Sequence, residues 1–357
     1  MKLISGAKYA LATVTSIGVR IAPVNRGSVH TARLFEMQAT SAETNVLNVS
    51  ASLGLPVLAL TRFVKDSPVS LFLKSELRRR GIGFEGPDVP QGGPWGFRHQ
   101  FNIADSGFGA RGPRVHNDRA GEVGRTLSAA DYDLERLFDR DGCQILHISG
   151  LVAALSSETT DCCLRVVHRA KQSGTRVCFD LNHRASFWKG REAELRAAFH
   201  EIASLADVLV GNEEDFQLAL GVEGPEAGGS GIYGQTDAFK YMIGRVRSRY
   251  PEASAFATTL REVYSANSHG WGAILLAGDT WHMEPLREIQ IMDRIGGGDA
   301  FVGGLLYGIL KRWEPSDWLK FGWATGALAT TSTEDYATPA DEEQVWSIYQ
   351  GNARVRR

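Results

Sequence analysis

Residues 289–310 read Ile289-Gln290-Ile291-Met292-Asp293-Arg294-Ile295-Gly296-Gly297-Gly298-Asp299-Ala300-Phe301-Val302-Gly303-Gly304-Leu305-Leu306-Tyr307-Gly308-Ile309-Leu310. The first five residues form a β-rich run, which predicts a strand over Ile289–Asp293. From Asp299 to Lys311 apolar residues recur with helical spacing. A triple-glycine turn lies between. Three consecutive glycines cost backbone entropy on folding and make sense where main chain must approach a ligand closely. The unpaired N–H groups and dipole at a helix start form an anion site. Asp299 would then sit beside a bound phosphoryl group, placed to accept a proton from an attacking hydroxyl. Spacing alone leaves open a plain glycine turn with Asp299 as an ordinary N-cap.

The stretch is not a Walker A loop, because no Lys-Ser/Thr follows the glycines. Gly107-Phe108-Gly109-Ala110-Arg111-Gly112 matches G-x-G-x-x-G. Pro113 follows it and no helix opens there, so it is not read as a dinucleotide site.

Outward from the glycine turn, β-rich runs alternate with helix-length segments. Strands are expected at Tyr9–Thr15, Val57–Phe63, Gln144–Ser149, Arg176–Leu181, Val208–Gly211, Ala255–Leu260 and Ala273–Ala277. Helices are expected at Asn45–Leu53, Val69–Arg80, Glu158–Gln172, Glu192–Ala203, Glu213–Leu220, Ala238–Tyr250, Ser316–Thr330 and Glu342–Tyr349. Ser156 and Ser157 would cap the helix from Glu158, and Gly174 would end it. This alternation predicts an α/β fold: a mostly parallel central sheet with helices on both faces. Ligands in such sheets bind beyond the carboxyl ends of the strands.

Two segments break the alternation. Arg20–Thr40 and Pro87–Asn117 are rich in Gly, Pro, Arg and aromatics, and read as small strands outside the main sheet. They form either a flap over a pocket or two surface hairpins. Glu223–Gly234 is a glycine-rich surface loop.

The 357 residues carry 39 Lys+Arg against 41 Asp+Glu, a formal charge of −2, so no global basic field exists to hold nucleic acid or an anionic membrane. Arg354, Arg356 and Arg357 make a small basic tip, read as a solvated tail. Cys143, Cys162, Cys163 and Cys178 show no zinc-type spacing, which points to buried thiols in a reducing compartment. No apolar run approaches the ~18–20 residues of a membrane span. The N-terminus reads as a first strand rather than a signal peptide, so a cytoplasmic protein is expected.

Residues Asp293–Phe301 and the following Gly303–Leu310 resemble the C-terminal signature of the ribokinase-like (PfkB) carbohydrate kinases. The variant opening Asp-Arg-Ile looks most like the 2-keto-3-deoxygluconate kinase branch. Phe179-Asp180-Leu181-Asn182-His183-Arg184 resembles that branch's D-x-N-x-R strand end. Gly211-Asn212-Glu213-Glu214-Asp215-Phe216 resembles the N-x-x-E element. Thr258–Glu262 and Gly270–Ala273 resemble the nucleotide-side strands, and Gly351–Val355 the familiar ending. The resemblance is colinear over about residues 40 to 357.

The resemblance implies one ribokinase-like domain over 1–357, three-layered α/β/α, with a β-sheet lid built from insertions around 20–40 and 87–117. It implies transfer of the γ-phosphoryl of ATP to a sugar hydroxyl, with Mg²⁺; a monovalent cation and a homodimer through the lid are left open. Carried over residue by residue, Asp299 is the base and the N–H groups of Gly296, Gly297 and Gly298 form the anion hole. Asn212 and Asp215 order Mg²⁺ through water. Thr259, Arg261, Gly270 and Gly272 lie on the nucleotide side. Glu43, Asn45, Arg98, Asn102 and Asn182 face the sugar, and the fork of Arg184 holds an acceptor carboxylate.

Three positions depart from the family's pattern. Thr40 and Ser41 stand where Gly-Gly is usual. The first strand ends in Ser16-Ile17-Gly18-Val19-Arg20, without the usual acid or Asn. Asp215 is one methylene shorter than the Glu of N-x-x-E. The first two lie in the acceptor pocket, so a ketohexose kinase and a non-catalytic sugar- or nucleotide-binding regulator stay beside the sugar-acid kinase. A nucleoside kinase is disfavoured by Arg184.

Overall fold

The computed structural model describes residues 1–225 and 231–352. The glycine-rich stretch 226–230 and the basic tip Arg354, Arg356 and Arg357 lie outside the described residues. The centre is a nine-stranded sheet. Its spatial order is Thr280–Gln290, Ser268–Ala277, Ala255–Val263, Val208–Val210, Arg176–Asp180, Cys143–Ser149, Tyr9–Val14, Val57–Leu60 and Gly83–Glu85. Seven strands run parallel from Ala255–Val263 to Gly83–Glu85; the two at the opposite edge are antiparallel hairpin partners.

Strand order reverses beside the first strand. From Tyr9–Val14 the chain builds outward through Val57–Leu60 in one direction, and from Cys143–Ser149 through Arg176–Asp180 in the other. A doubly wound sheet opens a crevice at such a switch point, outside the carboxyl ends of its strands. Thr15, Ser16 and Ser149 end those two strands.

Each face of the sheet buries its own core. Helices Ser157–Gln172, Glu192–Leu205, Glu213–Leu220 and Thr236–Arg249 cover one face, with Val166, Phe199, Phe216 and Ile243 against the strands. Helices Ala42–Ser52, Pro68–Arg79, Gly297–Leu310, Pro315–Ala329 and Glu342–Tyr349 cover the other, with Leu47, Leu73, Phe301 and Phe321. The helix Ser157–Gln172 shows why its boundaries are readable. Ser156 accepts from the Thr159 N–H in a capping box, and Gly174, at φ 80°, turns the chain out beyond the C-terminus.

A second, four-stranded sheet stands apart, ordered Phe35–Thr40, Gly18–Pro23, Phe101–Asp105, Arg114–Asp118. Both irregular segments thus contribute strands to one sheet. It follows the first strand directly and flows through Thr40 into the helix Ala42–Ser52, so the main sheet positions it over the switch point.

Two expected strands need correction. Val57–Phe63 ends at Leu60; Phe63–Val64 pairs instead with Asp88–Val89, and between them the Arg62 side chain donates to Asp131. Of Ile289–Asp293 only Ile289 and Gln290 are strand, the end of a longer one, Thr280–Gln290. Its backbone leaves the sheet at Ile291, whose N–H goes to Asn267 O at 2.8 Å, and the Met292 N–H goes to Thr330 O at 2.8 Å. All four cysteines are buried and free, and burial raises each thiol pKa. Among the described residues no helix is long and apolar enough to cross a membrane.

Candidate active site

The crevice at the switch point is a cleft of about 810 Å³ between the carboxyl ends of the main-sheet strands, the glycine turn and the second sheet. Asp299, Gly296, Gly298, Asn212, Asp215, Thr259, Arg261, Asn45, Asn102, Asn182 and Arg184 line it. Six separate chain segments therefore converge on one space.

Gly296 is the N-cap of the helix Gly297–Leu310, in the left-handed region at φ 83°. A Cβ there would fall 1.7 Å from the Asp335 carbonyl oxygen, so glycine is obligatory. The first intrahelical bond is Ala300 N–H to Gly296 O at 2.9 Å. The preceding N–H groups of Gly297, Gly298 and Asp299 have no carbonyl of their own helix to reach, which leaves donors at the cleft. Gly297 is buried against Thr330 and Gly326, whereas a Cβ on Gly298 would meet open space.

Asp299 stands in the first turn, three residues past the N-cap. Its side-chain partner is the Asn45 amide, Nδ2 to Oδ2 at 2.9 Å, from the helix Ala42–Ser52 packed alongside. The ordinary N-cap left open by spacing is therefore excluded. Burial pushes its carboxyl up to about 7; the Asn45 hydrogen bond opposes this, while Asp335 and Glu43 add to it. A carboxylate titrating near neutrality suits proton abstraction at physiological pH.

Asn212 and Asp215 form the capping box of the helix Glu213–Leu220. Asp215 accepts from the N–H groups of Asn212 and His183, at 2.9 and 2.8 Å, and Asn212 Oδ1 accepts the Asp215 N–H at 2.8 Å. Beside them Asp180 ends its strand in the cleft, and its carboxyl lies well above the usual range, from burial and from Asp215 and Asp299. Asn182 is held at φ 35°, with its amide donating to Ser149 Oγ at 3.1 Å.

Five residues expected at the site lie outside the cleft lining: Gly297, buried behind the turn, and four others. Glu43 is buried beneath it, accepting from Thr15 Oγ1 at 2.8 Å, and burial raises its carboxyl pKa. Arg98 pairs with Asp118 and donates to Ala120 O at 2.6 Å, clipping the end of the second sheet. Gly270 and Gly272 belong to the edge hairpin. A Cβ on Gly272 would come within 2.9 Å of Glu284 O, and one on Gly270 within 2.7 Å of Tyr264 Oη. Their glycines serve strand packing there.

The structure adds cleft residues that the sequence did not single out, Gln100, Asn117, Arg119 and Asp335, and brings Ser16, Thr40, Asp180 and Arg294 to the same lining. Arg119 and Arg184 approach a shared short helix, Ala185–Trp188: Arg184 is its N-cap, and the Arg119 guanidinium lies 5.3 Å over the Phe187 ring. Arg119 falls two residues beyond the expected flap. Thr40 and Ser41 do not block the cleft: Thr40 donates to Asp335, and Ser41 caps the next helix by accepting the Thr44 N–H at 3.1 Å. The missing acid at the end of the first strand has a counterpart in space, since Ser16 Oγ donates to Glu122 Oε1 at 2.5 Å.

The doubly wound sheet, the small second sheet beside its switch point and the glycine turn that opens a helix make a ribokinase-like α/β fold. Comparison with known proteins agrees. Residues 268–342 match the pfkB family carbohydrate kinases. The chain is 26% identical over 351 residues to a 2-dehydro-3-deoxygalactonokinase of Haloferax volcanii, covering 97% of this chain and 99% of the relative. It is 25% identical over 336 residues to the 2-dehydro-3-deoxygluconokinase of Bacillus subtilis, covering 93% and 92%. A solved 2-dehydro-3-deoxygluconokinase from Thermotoga maritima superposes with a TM-score of 0.84 at 25% identity, over 96% of this chain and 99% of that one. The resemblance to the PfkB carbohydrate kinases is borne out, and the chain is an ATP-dependent sugar kinase of that fold.

Proposed function

We propose that this kinase transfers the γ-phosphoryl of ATP to a hydroxyl of a 2-keto-3-deoxygluconate-like sugar acid. The observation that carries the reading is the place of Asp299. It stands beside the free N–H groups of the glycine turn, hydrogen-bonded by Asn45 at 2.9 Å, with a carboxyl raised to about 7. Asp299 takes the proton of the attacking hydroxyl. The N–H groups of the Gly296–Gly298 turn hold the charge that builds on the transferred group. Arg261 and Arg294, which face the same end of the cleft, hold the phosphates of the nucleotide, and Thr259 borders them.

Among the described residues no group of three or more His, Cys, Asp or Glu forms a metal cage. The nearby donors are oxygens, from Asp180, Asn212 and Asp215. That set fits Mg²⁺ carried on the triphosphate and held through water, where it offsets phosphate charge.

At the acceptor end Asn45, Asn102 and Asn182 hydrogen-bond sugar oxygens, and Arg184 reads the carboxylate. The second sheet covers the cleft as a lid that excludes water from transfer. The names of the relatives, kinases of keto-deoxy sugar acids, support the acidic acceptor. The test is an ADP-release assay with Mg²⁺-ATP against 2-keto-3-deoxygluconate, fructose, tagatose, psicose, sorbose and ribose, with Asp299→Asn as control. Turnover of the sugar acid that vanishes in the variant is expected. Selective turnover of a neutral ketose would make the protein a ketohexose kinase instead.

A further inference from the structure

The acceptor end of the cleft holds a carboxylate that the mechanism above does not use. Glu122 follows the second sheet and is 1% exposed. One oxygen, Oε1, accepts from both Ser16 Oγ at 2.5 Å and Arg119 Nη1 at 2.6 Å. The other, Oε2, is buried with no partner. Both partners of Glu122 line the cleft, and they come from segments about a hundred residues apart: Ser16 from the end of the first strand, Arg119 from beyond the second sheet.

The turn itself does not need this side chain. Its main chain is tied by Glu122 N–H to Arg119 O at 3.3 Å, Arg98 N–H to Gly121 O at 2.8 Å and Val123 N–H to Arg98 O at 2.9 Å. Gly124 packs directly on Ser16, where a Cβ would come within 1.8 Å of its Oγ. A buried carboxylate with one unpartnered oxygen is poor value as a stabilising device. Its effect falls on the two groups it holds.

The two guanidiniums at this end also differ in charge balance. Arg119 is neutralised by Glu122, at 2.6 Å. Arg184 donates to the His183 carbonyl at 2.8 Å and makes no ion pair among the described residues. An acidic acceptor would therefore meet one guanidinium free of a salt bridge rather than two.

We propose that Glu122 is a positioning residue for the acceptor: it clamps Arg119 and Ser16 at the cleft wall and cancels the charge of Arg119. Arg119 then donates to a neutral oxygen of the acceptor, a hydroxyl or keto group, and Arg184 alone reads a carboxylate. The proposal rests on the kinase reading above and deepens its acceptor site.

The test is a double-mutant cycle of Glu122→Ala and Arg119→Ala, with steady-state kinetics on the sugar acid and on neutral ketoses. Each single variant raises the acceptor KM about tenfold or more without moving the KM for ATP, the size of a lost charge-assisted hydrogen bond. The double variant is no worse than the worse single one. Effects that multiply, or an ATP KM that moves in step, overturn the clamp. Glu122→Gln keeps the shape and frees the charge of Arg119, so kcat/KM shifts toward the acid relative to neutral acceptors. An unchanged ratio overturns charge cancellation. If the wild-type enzyme uses only a neutral acceptor, the acidic reading fails and the cycle on that acceptor still judges the clamp. If it uses none, crystal structures of the wild type and Glu122→Ala decide: Arg119 leaves the cleft wall in the variant, and an unmoved Arg119 overturns the proposal.

Discussion

Arg20 and Asp293 form an ion pair from which solvent is shut out, with side chains 0% and 2% exposed. Arg20 lies on the second sheet, and Asp293 opens the glycine turn, where its other oxygen accepts the Ile295 N–H at 3.0 Å. The pair therefore ties the sheet above the cleft to the loop that carries the anion site. Breaking a buried pair from one side leaves an unpaired charge and costs about 3–5 kcal/mol. Arg20→Met is expected to lose that much in urea denaturation. Arg20→Met with Asp293→Leu is expected to recover much of the stability but not the turnover, because the turn loses its Ile295 contact. Recovery of turnover in the double variant would separate this pair from the geometry of the turn.

Asp299→Asn should lower kcat by about 10²–10⁴-fold, the usual contribution of a general base, with ATP affinity nearly unchanged. A second consequence is thermodynamic. The carboxyl is raised from 3.8 to about 7 in the folded protein, so the folded state holds this proton more tightly than the unfolded one. Stability contributed by the protonated group is present below about pH 4 and is lost as pH rises through 7. Asp299→Asn should thus be more stable than the wild type at pH 8, by on the order of 1–2 kcal/mol, with the difference vanishing near pH 4. Urea titrations at the two pH values measure it. Equal stabilities at pH 8 would show that the carboxyl is not raised.

The Asn45 amide offers a finer test of the same base. Its hydrogen bond to Asp299 favours the ionised carboxylate and holds the pKa down. With Asn45 in place, kcat against pH should fall on the acid side with a midpoint near 7. Asn45→Ala removes the restraint, so the midpoint moves to higher pH, by roughly one unit. A midpoint that stays put, or moves down, would mean that the acid limb reports another group.

Arg184 makes no ion pair among the described residues, so its charge is available to a ligand. Arg184→Ala is expected to raise KM for a sugar acid by about tenfold to a hundredfold, the worth of a charge-assisted pair, and to leave a neutral ketose within about threefold. Initial rates on both acceptors test this. Equal losses on both would remove Arg184 from carboxylate recognition.

The parts legible in the sequence are those set by local chemistry. The helices Glu213–Leu220 and Glu342–Tyr349 were readable to the residue because Asn212 and Asp341 cap them with side-chain oxygens. The glycine turn was readable because helix start, turn and carboxylate are adjacent in the chain. The strand Thr280–Gln290 was not, since Pro285 and charged residues interrupt its apolar alternation. Glu122 and Arg119 were invisible for a different reason. Nothing near position 122 announces burial; it follows from Ser16, more than a hundred residues away, brought there by the parallel pairing of Val19 with Phe101. Arg98 shows the reverse error: flap placement suggested a sugar contact, and Asp118 across the same sheet claims its charge.

The three glycines of the turn should separate by substitution, because only one is demanded by the backbone. Gly296→Ala places a methyl at 1.7 Å from the Asp335 carbonyl in a left-handed conformation, and either conflict alone costs stability. Asp335 also receives the Thr40 hydroxyl, so relief at Gly296 would have to move the segment that enters the helix Ala42–Ser52. Gly296→Ala is therefore expected to lower stability by about 2 kcal/mol or more and to lose both ATP binding and turnover. Gly298 differs, since its Cβ would meet nothing within 4 Å and would point into open cleft. Gly298→Ala should fold with wild-type stability, measured by urea denaturation. If the transferred phosphoryl group sits on these N–H groups, the added methyl crowds it, and kcat should fall by about tenfold to a thousandfold while acceptor KM stays within about twofold. Full activity in Gly298→Ala would place the phosphoryl group away from the turn.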